Sequence, residues 1–250
     1  MDGGIQKKRK KKRRRKNYLL RLVLLIAIGT GAYFLLTSSF FDVQTVAVNN
    51  NNYYTKEQII SKADAKTGQN IFGVKTNEIK EALLTDPYIK TARVRRSLPG
   101  TIVISIEERS EFAVVPYSGA FVIIDKDGLV LRKSDTEPQL PQLIGVTIKN
   151  MEEGGPLEVE ETGALTGTLK MLEAIDSKDV FFKKIDISNA IVKAYVYDQL
   201  ICKGTPEHIL ESVLSGNLEE VLYELYTKGT ERGIIYVGSD NYYSFSPMVE

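Results

Sequence analysis

A stretch of 20 consecutive uncharged residues near the start of the chain limits most strongly what this sequence can fold into. It runs over 22–41 and reads LVLLIAIGTGAYFLLTSSFF. A helix rises ~1.5 Å per residue, so this stretch is long enough to cross the ~30 Å hydrocarbon core of a bilayer. Tyr18 before it and Phe40 and Phe41 at its end suit the two headgroup regions. The sequence therefore predicts a transmembrane helix over 18–41.

The charges on either side of this stretch predict its orientation. Residues 1–21 hold eleven of the 33 Lys and Arg residues and one of the 32 Asp and Glu residues, which leaves 22–250 with a net charge of −9. Basic residues flank membrane spans on the cytoplasmic side, so we expect 1–17 inside the cell and everything after about Phe41 outside it. A cleaved secretory signal is the alternative, but its apolar region is typically only ~7–15 residues long, and no A-x-A pattern occurs near 37–42.

The basic residues themselves have two interpretations. A run of Lys and Arg such as 7–16 can bind nucleic acid, but here the positive charge is confined to a tail and the rest of the chain is acidic. Beside a membrane span, such a run contacts anionic lipid and fixes the orientation of the span. We therefore expect a cytoplasmic tail over 1–17 that binds anionic lipid, and no nucleic-acid partner.

A short α+β module follows the span, over 42–110. A β-prone run leads into a capping box, in which Thr55 is followed three residues later by Gln58, and this box opens a first helix. A second helix is predicted from about Thr76, and Pro87 ends it. Two strands follow around a Leu-Pro-Gly turn, and the second reads TIVISIEE, with Ile at alternate positions. The predicted order is β-α-α-β-β, with both helices on one face of the sheet.

The run over 86–109, DPYIKTARVRRSLPGTIVISIEER, resembles the end of a POTRA module of the FtsQ/DivIB type. The shared elements are an A-x-V-x-R strand, a Leu-Pro-Gly-Thr turn and an alternating strand that ends in Glu-Glu-Arg. One such module directly after a basic tail and a single span is the layout of the FtsQ/DivIB cell-division proteins. Outer-membrane assembly proteins also carry POTRA modules, usually before a barrel for which this chain is too short.

The rest of the chain, 111–250, has a strand-rich pattern. Strands are predicted at 112–117, 121–124, 129–132, 182–187, 191–197, 233–237 and 242–245. Helices are predicted from Leu165 and from the Thr205 cap, which Pro206 follows. The resemblance implies that this part of the chain is the second domain of FtsQ/DivIB proteins, the β domain, whose strands extend the POTRA sheet. The helical region 206–227 does not match a motif of that domain. We therefore predict an α+β fold with an N-terminal transmembrane helix, a POTRA-like module and a strand-rich β domain with packed helices.

The final hairpin is the most informative stretch for function. It carries large apolar and aromatic residues, namely Ile234, Tyr236, Tyr242, Tyr243 and Phe245. A chain-terminal strand commonly lies at a sheet edge, where its unpaired backbone groups can accept a strand from a partner. Tyr suits such a surface because it offers apolar area together with a hydroxyl. Alternation of these residues into the domain's own core is the other interpretation, and the pattern leaves both open.

A second set of candidate residues lies in the module, where Arg93, Arg95, Arg96 and Arg109 could contact a partner or could simply solvate a strand face. No motif of nucleophilic, metal-dependent or phosphate-binding catalysis occurs, and the chain has one Cys and one His. Its paired acids are adjacent in sequence and point in different directions, although acids from separate segments could still meet in a cleft. No catalytic, cofactor-binding or metal site is predicted.

Together with the resemblance, these observations predict a non-enzymatic scaffold of the bacterial division machinery. The resemblance implies bitopic partners similar to DivIC/FtsB and FtsL, which would bind outside the membrane, and a role in regulating septal peptidoglycan synthesis. It also implies a single-pass protein of the cell membrane, located at the division septum. The alternatives are a membrane-anchored cell-wall hydrolase or transferase, or a POTRA-type assembly factor.

Overall fold

The computed structural model of the chain describes residues 18–176, 178, 180–239 and 242–248. The predicted basic tail over 1–17 lies outside the described residues, as does part of the turn before the last strand. Helices and strands are both present. The strands form three separate sheets of three, nine and two strands. The predicted α+β class is confirmed.

The N-terminal helix α1 spans Tyr18–Leu36, and none of its 19 residues is buried. Its mean hydropathy reaches 2.2, and a helix that is apolar on all sides and about 28 Å long suits a membrane span. It is shorter than the predicted 18–41. The hydroxyls of Thr37 and Ser38 donate to the carbonyls of Tyr33 and Leu35 at 2.7 and 2.6 Å, which closes the last turn. A short 3₁₀ turn, Ser39–Phe41, follows.

The module after the span has the predicted order of elements. In chain order these are β1 (Thr45–Asn49), α2 (Lys56–Lys62), α3 (Thr76–Leu84), β2 (Ile89–Ser97) and β3 (Thr101–Glu108). The strands lie in the order β1-β3-β2, with β1 parallel to β3 and β2 antiparallel to it. The capping box forms as predicted, because the Gln58 amide donates to Thr55 Oγ1 and the Thr55 amide donates to Gln58 Oε1.

The core of this module lies between its sheet and its two helices. Ile102, Ile104 and Ile106 alternate along β3 towards the helices and are at most 2% exposed. They pack with Ile59 of α2 and Leu83 of α3. The opposite face of the sheet carries no helix of the module, so its side chains remain accessible.

The second part of the chain forms a larger sheet. Its elements are β4 (Ala113–Tyr117), β5 (Ala120–Ile124), β6 (Val130–Ser134), β7 (Gln142–Ile144), β8 (Ile148–Asn150), β9 (Glu158–Val159), α4 (Thr162–Ile175), β10 (Lys184–Asp186), β11 (Val192–Tyr195), β12 (Leu200–Gly204), α5 (Pro206–Leu214), α6 (Asn217–Thr227), β13 (Gly233–Val237) and β14 (Tyr243–Ser246). Nine strands lie in the order β14-β13-β12-β11-β10-β7-β4-β5-β6, while β8 and β9 form a separate pair. The helices share one hydrophobic core with the sheet.

This larger sheet is separate from the first one, whereas the resemblance implied a continuation of it. The Arg109 amide still donates to the Tyr88 carbonyl at 2.8 Å, as a last rung beside β2 and β3. Three residues later the Phe112 amide donates to the Ile124 carbonyl at 2.9 Å and begins the new sheet. The chain therefore changes sheets within 110–111, and the two ladders do not join.

Side chains tie the two sheets together at this crossing. The Glu111 carboxylate accepts hydrogen bonds from Tyr88 Oη and from Arg132 Nε, both at 2.7 Å. Arg109 forms an ion pair with Asp125, whose side chain is only 3% exposed. We call Tyr88, Glu111, Arg132 and this ion pair the junction. Because the junction joins groups from both sheets, it fixes one sheet relative to the other.

Candidate interaction site

The last strand, β14, lies at one end of the nine-stranded sheet, as its chain-terminal position predicts. It pairs with β13 on one side, and within the described part of the chain no strand pairs with its other side. The Gly238 amide donates to the Tyr242 carbonyl at 2.9 Å. Residue pairs in an antiparallel ladder alternate between hydrogen-bonded and non-hydrogen-bonded pairs. Gly238 and Tyr242 form a hydrogen-bonded pair, so Ser244 and Ser246, two and four residues after Tyr242, also direct their amides towards β13. The amides of Tyr243 and Phe245 then point to the free edge.

The pairing register divides the predicted hairpin residues between two faces. Tyr243 lies opposite Val237, and Phe245 lies opposite Ile235. Val237 and Ile235 are buried in the core under the helices, so Tyr243 and Phe245 lie on the helix side of the sheet.

On the helix side, Tyr243 is held by the domain itself. It is half-buried against the core, and its hydroxyl shares a short hydrogen bond with the hydroxyl of Ser212 on α5. Phe245 remains 37% exposed, with its ring over Gly233. A Cβ at Gly233 would come within 2.5 Å of that ring, and Gly233 also has a φ of +147°, so this position requires glycine.

The other face of the hairpin is directed away from the helices. Ile234 is half-buried there and Tyr236 is 39% exposed, with Lys203 Nζ 5.5 Å from the centre of its ring. Tyr242, just before β14, is 68% exposed. The two interpretations of the hairpin therefore apply to different residues: Tyr243 packs into the core, while Tyr236, Tyr242 and Phe245 reach solvent around an open edge.

The three candidate arginines of β2 also separate. Arg93 and Arg95 pair across the ladder with Ser105 and Val103, and both are exposed on the sheet face opposite the helices. Arg96 lies on the helix side instead. Its Nε donates to the Ile71 carbonyl at 2.9 Å and its Nη2 donates to the Val74 carbonyl at 2.6 Å. Arg96 therefore holds a loop in place, and Arg93 and Arg95 are the ones available to a partner.

A groove of about 910 Å³ lies along the exposed face of β2 and β3 near the junction. Three acids line it: Glu107 is exposed and accepts a hydrogen bond from Thr91 Oγ1 at 3.3 Å, and the other two are engaged within the protein. Glu108 accepts hydrogen bonds from the backbone amides of Asn52, Tyr53 and Tyr54 at 2.6, 2.7 and 3.1 Å. Glu111 belongs to the junction. Both carboxylates act as structural acceptors, so the groove does not present them as a free acid and base.

The carboxyl group of Asp86, whose pKa is shifted, also has partners within the protein. Burial acts to raise the pKa of Asp86, but hydrogen bonds from Lys62 Nζ, the Tyr88 amide and the Tyr54 hydroxyl outweigh it and hold this pKa below its usual value. Among the described residues, no group of three or more His, Cys, Asp and Glu side chains is arranged to hold a metal ion. The chemistry that this arrangement offers is recognition through a strand edge and exposed side chains.

Two contacts within the protein were not predicted, although Arg109 itself was a candidate residue. Ser212 anchors the last hairpin to α5, and a Ser inside a helix gives no sequence signal of a partner 31 residues away. The ion pair between Arg109 and Asp125 lies at the junction. Arg109 follows the alternating strand that carries the resemblance, but a partner in the next sheet is a tertiary contact that strand periodicity does not report.

Comparisons with known proteins match this chain at the level of sequence. The family described as "POTRA domain, FtsQ-type" matches residues 41–109. Cell division protein DivIB of Clostridium tetani is 31% identical over 189 residues, which cover 73% of this chain and 70% of that protein. DivIB of Clostridium acetobutylicum is 32% identical over 61% of this chain and 63% of its own length, so the match spans less than two thirds of that relative.

A solved structure also matches in part. The major extracytoplasmic domain of the trans isomer of DivIB from Geobacillus stearothermophilus aligns with 46% of this chain and 97% of its own, with 14% identity and a TM-score of 0.29. Those values are too low to establish a common fold. The relationship follows from the sequence relatives and the family match, and on that basis the chain belongs to the DivIB/FtsQ family of cell division proteins.

Proposed function

We propose that this protein is a non-enzymatic scaffold of bacterial cell division, which binds other bitopic division proteins outside the membrane and helps to regulate septal peptidoglycan synthesis. Membership of the DivIB/FtsQ family supports a role in cell division. The wholly exposed apolar helix α1 supports a membrane anchor. The Lys and Arg residues before it support an N-terminus in the cytoplasm and residues beyond 41 outside it. Anchoring would confine the outer domains to a layer near the membrane and raise their effective concentration for other anchored proteins.

The observation that carries the proposal is the open edge of β14. A partner segment adds there as a tenth strand, taking the free amides of Tyr243 and Phe245 as donors. Exposed Tyr236, Tyr242 and Phe245 lie around that edge and supply apolar contact on both faces of the added strand. Ile234 and Tyr243 support the hairpin from within. By family membership, the partners are bitopic proteins that resemble DivIC/FtsB and FtsL.

We assign the remaining parts of the chain as follows. Residues 1–17 contact anionic lipid, 18–41 cross the membrane, and the POTRA domain over 42–110 docks a further division protein through exposed Arg93 and Arg95. The β domain over 111–250 carries the edge. We propose that the protein acts at the septum of the dividing cell, as its family membership suggests. The engaged carboxylates of the 910 Å³ groove give no support to a hydrolase or transferase.

Replacement of Phe245 by Pro tests the edge directly. Proline removes the outward amide and places its ring where the partner backbone would approach, while the bonds of Ser244 and Ser246 to β13 remain. We expect about tenfold weaker binding, or more, which corresponds to the loss of about one net hydrogen bond. Binding is measured by pull-down of DivIC-like and FtsL-like proteins with the full chain in detergent micelles.

Phe245→Ala is the matched control, because it removes the ring and keeps the amide. Because the Phe245 ring also supplies apolar contact, Phe245→Ala should weaken binding, and a clearly larger loss in Phe245→Pro identifies the edge as the site. Equal losses in both variants would assign binding to the ring instead. Full binding by a folded Phe245→Pro protein would refute strand addition at β14.

A further inference from the structure

The exit of α1 is hydrogen-bonded to a loop of the POTRA domain. Asn70 Nδ2 donates to the carbonyl of Leu36, the last residue of the helix, at 2.7 Å. The Ile71 amide donates to the Phe41 carbonyl and the Val43 amide donates to the Gln69 carbonyl, both at 2.8 Å. The loop over 69–72 is therefore held at the level where the chain leaves the span.

The turn between β2 and β3 lies at the same end of the domain. The amides of Gln44 and Thr45 donate to the Gly100 carbonyl at 2.8 and 3.2 Å. The approach is so close that a Cβ on Gly100 would lie 2.5 Å from the Asp42 carbonyl oxygen. This turn and the loop over 69–72 therefore flank the short segment that joins α1 to β1.

Large apolar side chains project from this end of the domain into the surroundings. Phe40 is 61% exposed, Leu98 is 58% exposed and Phe72 is 44% exposed. We call Phe40, Phe72 and Leu98 the apolar tips. They come from three separate segments, namely the helix exit, the loop and the turn. Convergence of exposed apolar groups from three segments at one end of a domain is typical of an interaction surface.

The backbone that carries these tips is well supported. Phe72 contacts Phe41 with ring centres 5.3 Å apart. The Phe72 amide donates to Asn70 Oδ1 at 3.0 Å, and Arg96 holds the carbonyls on either side of Phe72 from within the domain. Because these contacts fix the loop, Phe72 keeps a constant position relative to the end of α1.

We propose that the apolar tips enter the outer lipid interface and hold the POTRA domain against the membrane in one orientation. Continuity with the span identifies the occupant. The loop bonds to the last residue of α1, so the tips lie at the boundary between acyl chains and headgroups, the depth at which aromatic side chains are most favourable. The tips and the helix then form one lipid-contacting surface. The inference depends on the membrane anchor and not on any protein partner.

The chain contains no Trp, so one introduced Trp is a unique fluorescent reporter. Phe72→Trp and, separately, Leu98→Trp are made in the full chain, which is reconstituted into phosphatidylethanolamine–phosphatidylglycerol vesicles with or without brominated acyl chains. We expect bromine near the headgroup end of the chain to quench each reporter at least twofold. We also expect acrylamide in the water to quench each one weakly.

Tyr53→Trp is the matched control. Tyr53 is 55% exposed in the same domain but follows the end of β1 that lies away from α1, beyond a strand about 13 Å long. Its replacement should respond to acrylamide and not to bromolipid. Reporters at 72 and 98 that behave like the one at 53 would overturn the proposal. Protection from acrylamide without bromolipid quenching would also overturn it, because protein would then cover the tips.

Discussion

At the scale of single residues, the arginines of β2 show how neighbouring identical side chains acquire different roles. Strand parity places Arg93 and Arg95 on the face that carries no helix, and it places Arg96 on the face of Ala92 and Val94. There Arg96 satisfies two loop carbonyls. The sequence contains a signal for this placement of Arg96, because alternate strand residues share a face and position 96 lies two residues after Val94. The carbonyl partners depend on a loop path that periodicity does not describe.

Replacement of Arg96 by Ala should destabilise the protein. Two hydrogen bonds from a charged donor are lost, and together they contribute roughly 2–3 kcal/mol. Arg93→Ala is the matched control, and it should change the free energy of unfolding by less than about 0.5 kcal/mol because its side chain is exposed. Urea denaturation of both variants in detergent micelles, followed by circular dichroism, measures the difference. Equal stabilities would contradict the structural role of Arg96.

At the scale of elements, the sequence predicted those that have local signals. The capping box set the start of α2, and Thr205 with Pro206 set the start of α5. By contrast, β12 was not among the predicted strands. Its five residues are buried apart from half-buried Lys203, so the alternation of apolar and polar residues that marks a strand is missing. It pairs antiparallel with β11, just before it, and parallel with β13, more than thirty residues later. The order of strands in the large sheet likewise rests on such distant pairings.

The attachment of β14 to α5 makes a prediction about Tyr243. Removal of its hydroxyl by Tyr243→Phe leaves the Ser212 hydroxyl, in a residue that is 1% exposed, without this partner. We expect a loss of about 1–2 kcal/mol in the free energy of unfolding. The Ser212→Ala variant and the double variant complete a cycle that isolates the pair. Strictly additive losses would show that the two hydroxyls do not interact.

At the scale of the whole molecule, the junction should make the stability of the protein depend on pH. Burial acts to raise the pKa of Glu111, but hydrogen bonds from Arg132 and Tyr88 outweigh it, so this pKa lies below its usual value in the folded protein. The ionised form therefore favours folding. This contribution is complete above the unfolded-state pKa of about 4.3 and is lost as the pH falls towards the lower, folded value.

Glu111→Gln should flatten that dependence. We expect the stability of the unmodified protein to fall more steeply below about pH 4.5 than that of the variant, since the variant has no carboxylate to protonate at the junction. Glu81→Gln is the control variant, because it removes a carboxylate from an exposed position outside the junction. Urea midpoints measured from pH 7 to pH 3 give the slopes. A Glu111→Gln slope equal to that of the unmodified protein would contradict the role of the junction.

The junction also determines how the molecule carries mechanical load. Ladder bonds run from β14 across the large sheet to β6, Arg132 on β6 grips Glu111 together with Tyr88 of the first sheet, and the first sheet is bonded through Asn70 to the end of α1. Tension applied at the free edge therefore passes through bonded elements to the membrane helix. A pull on that edge would displace both sheets together with α1.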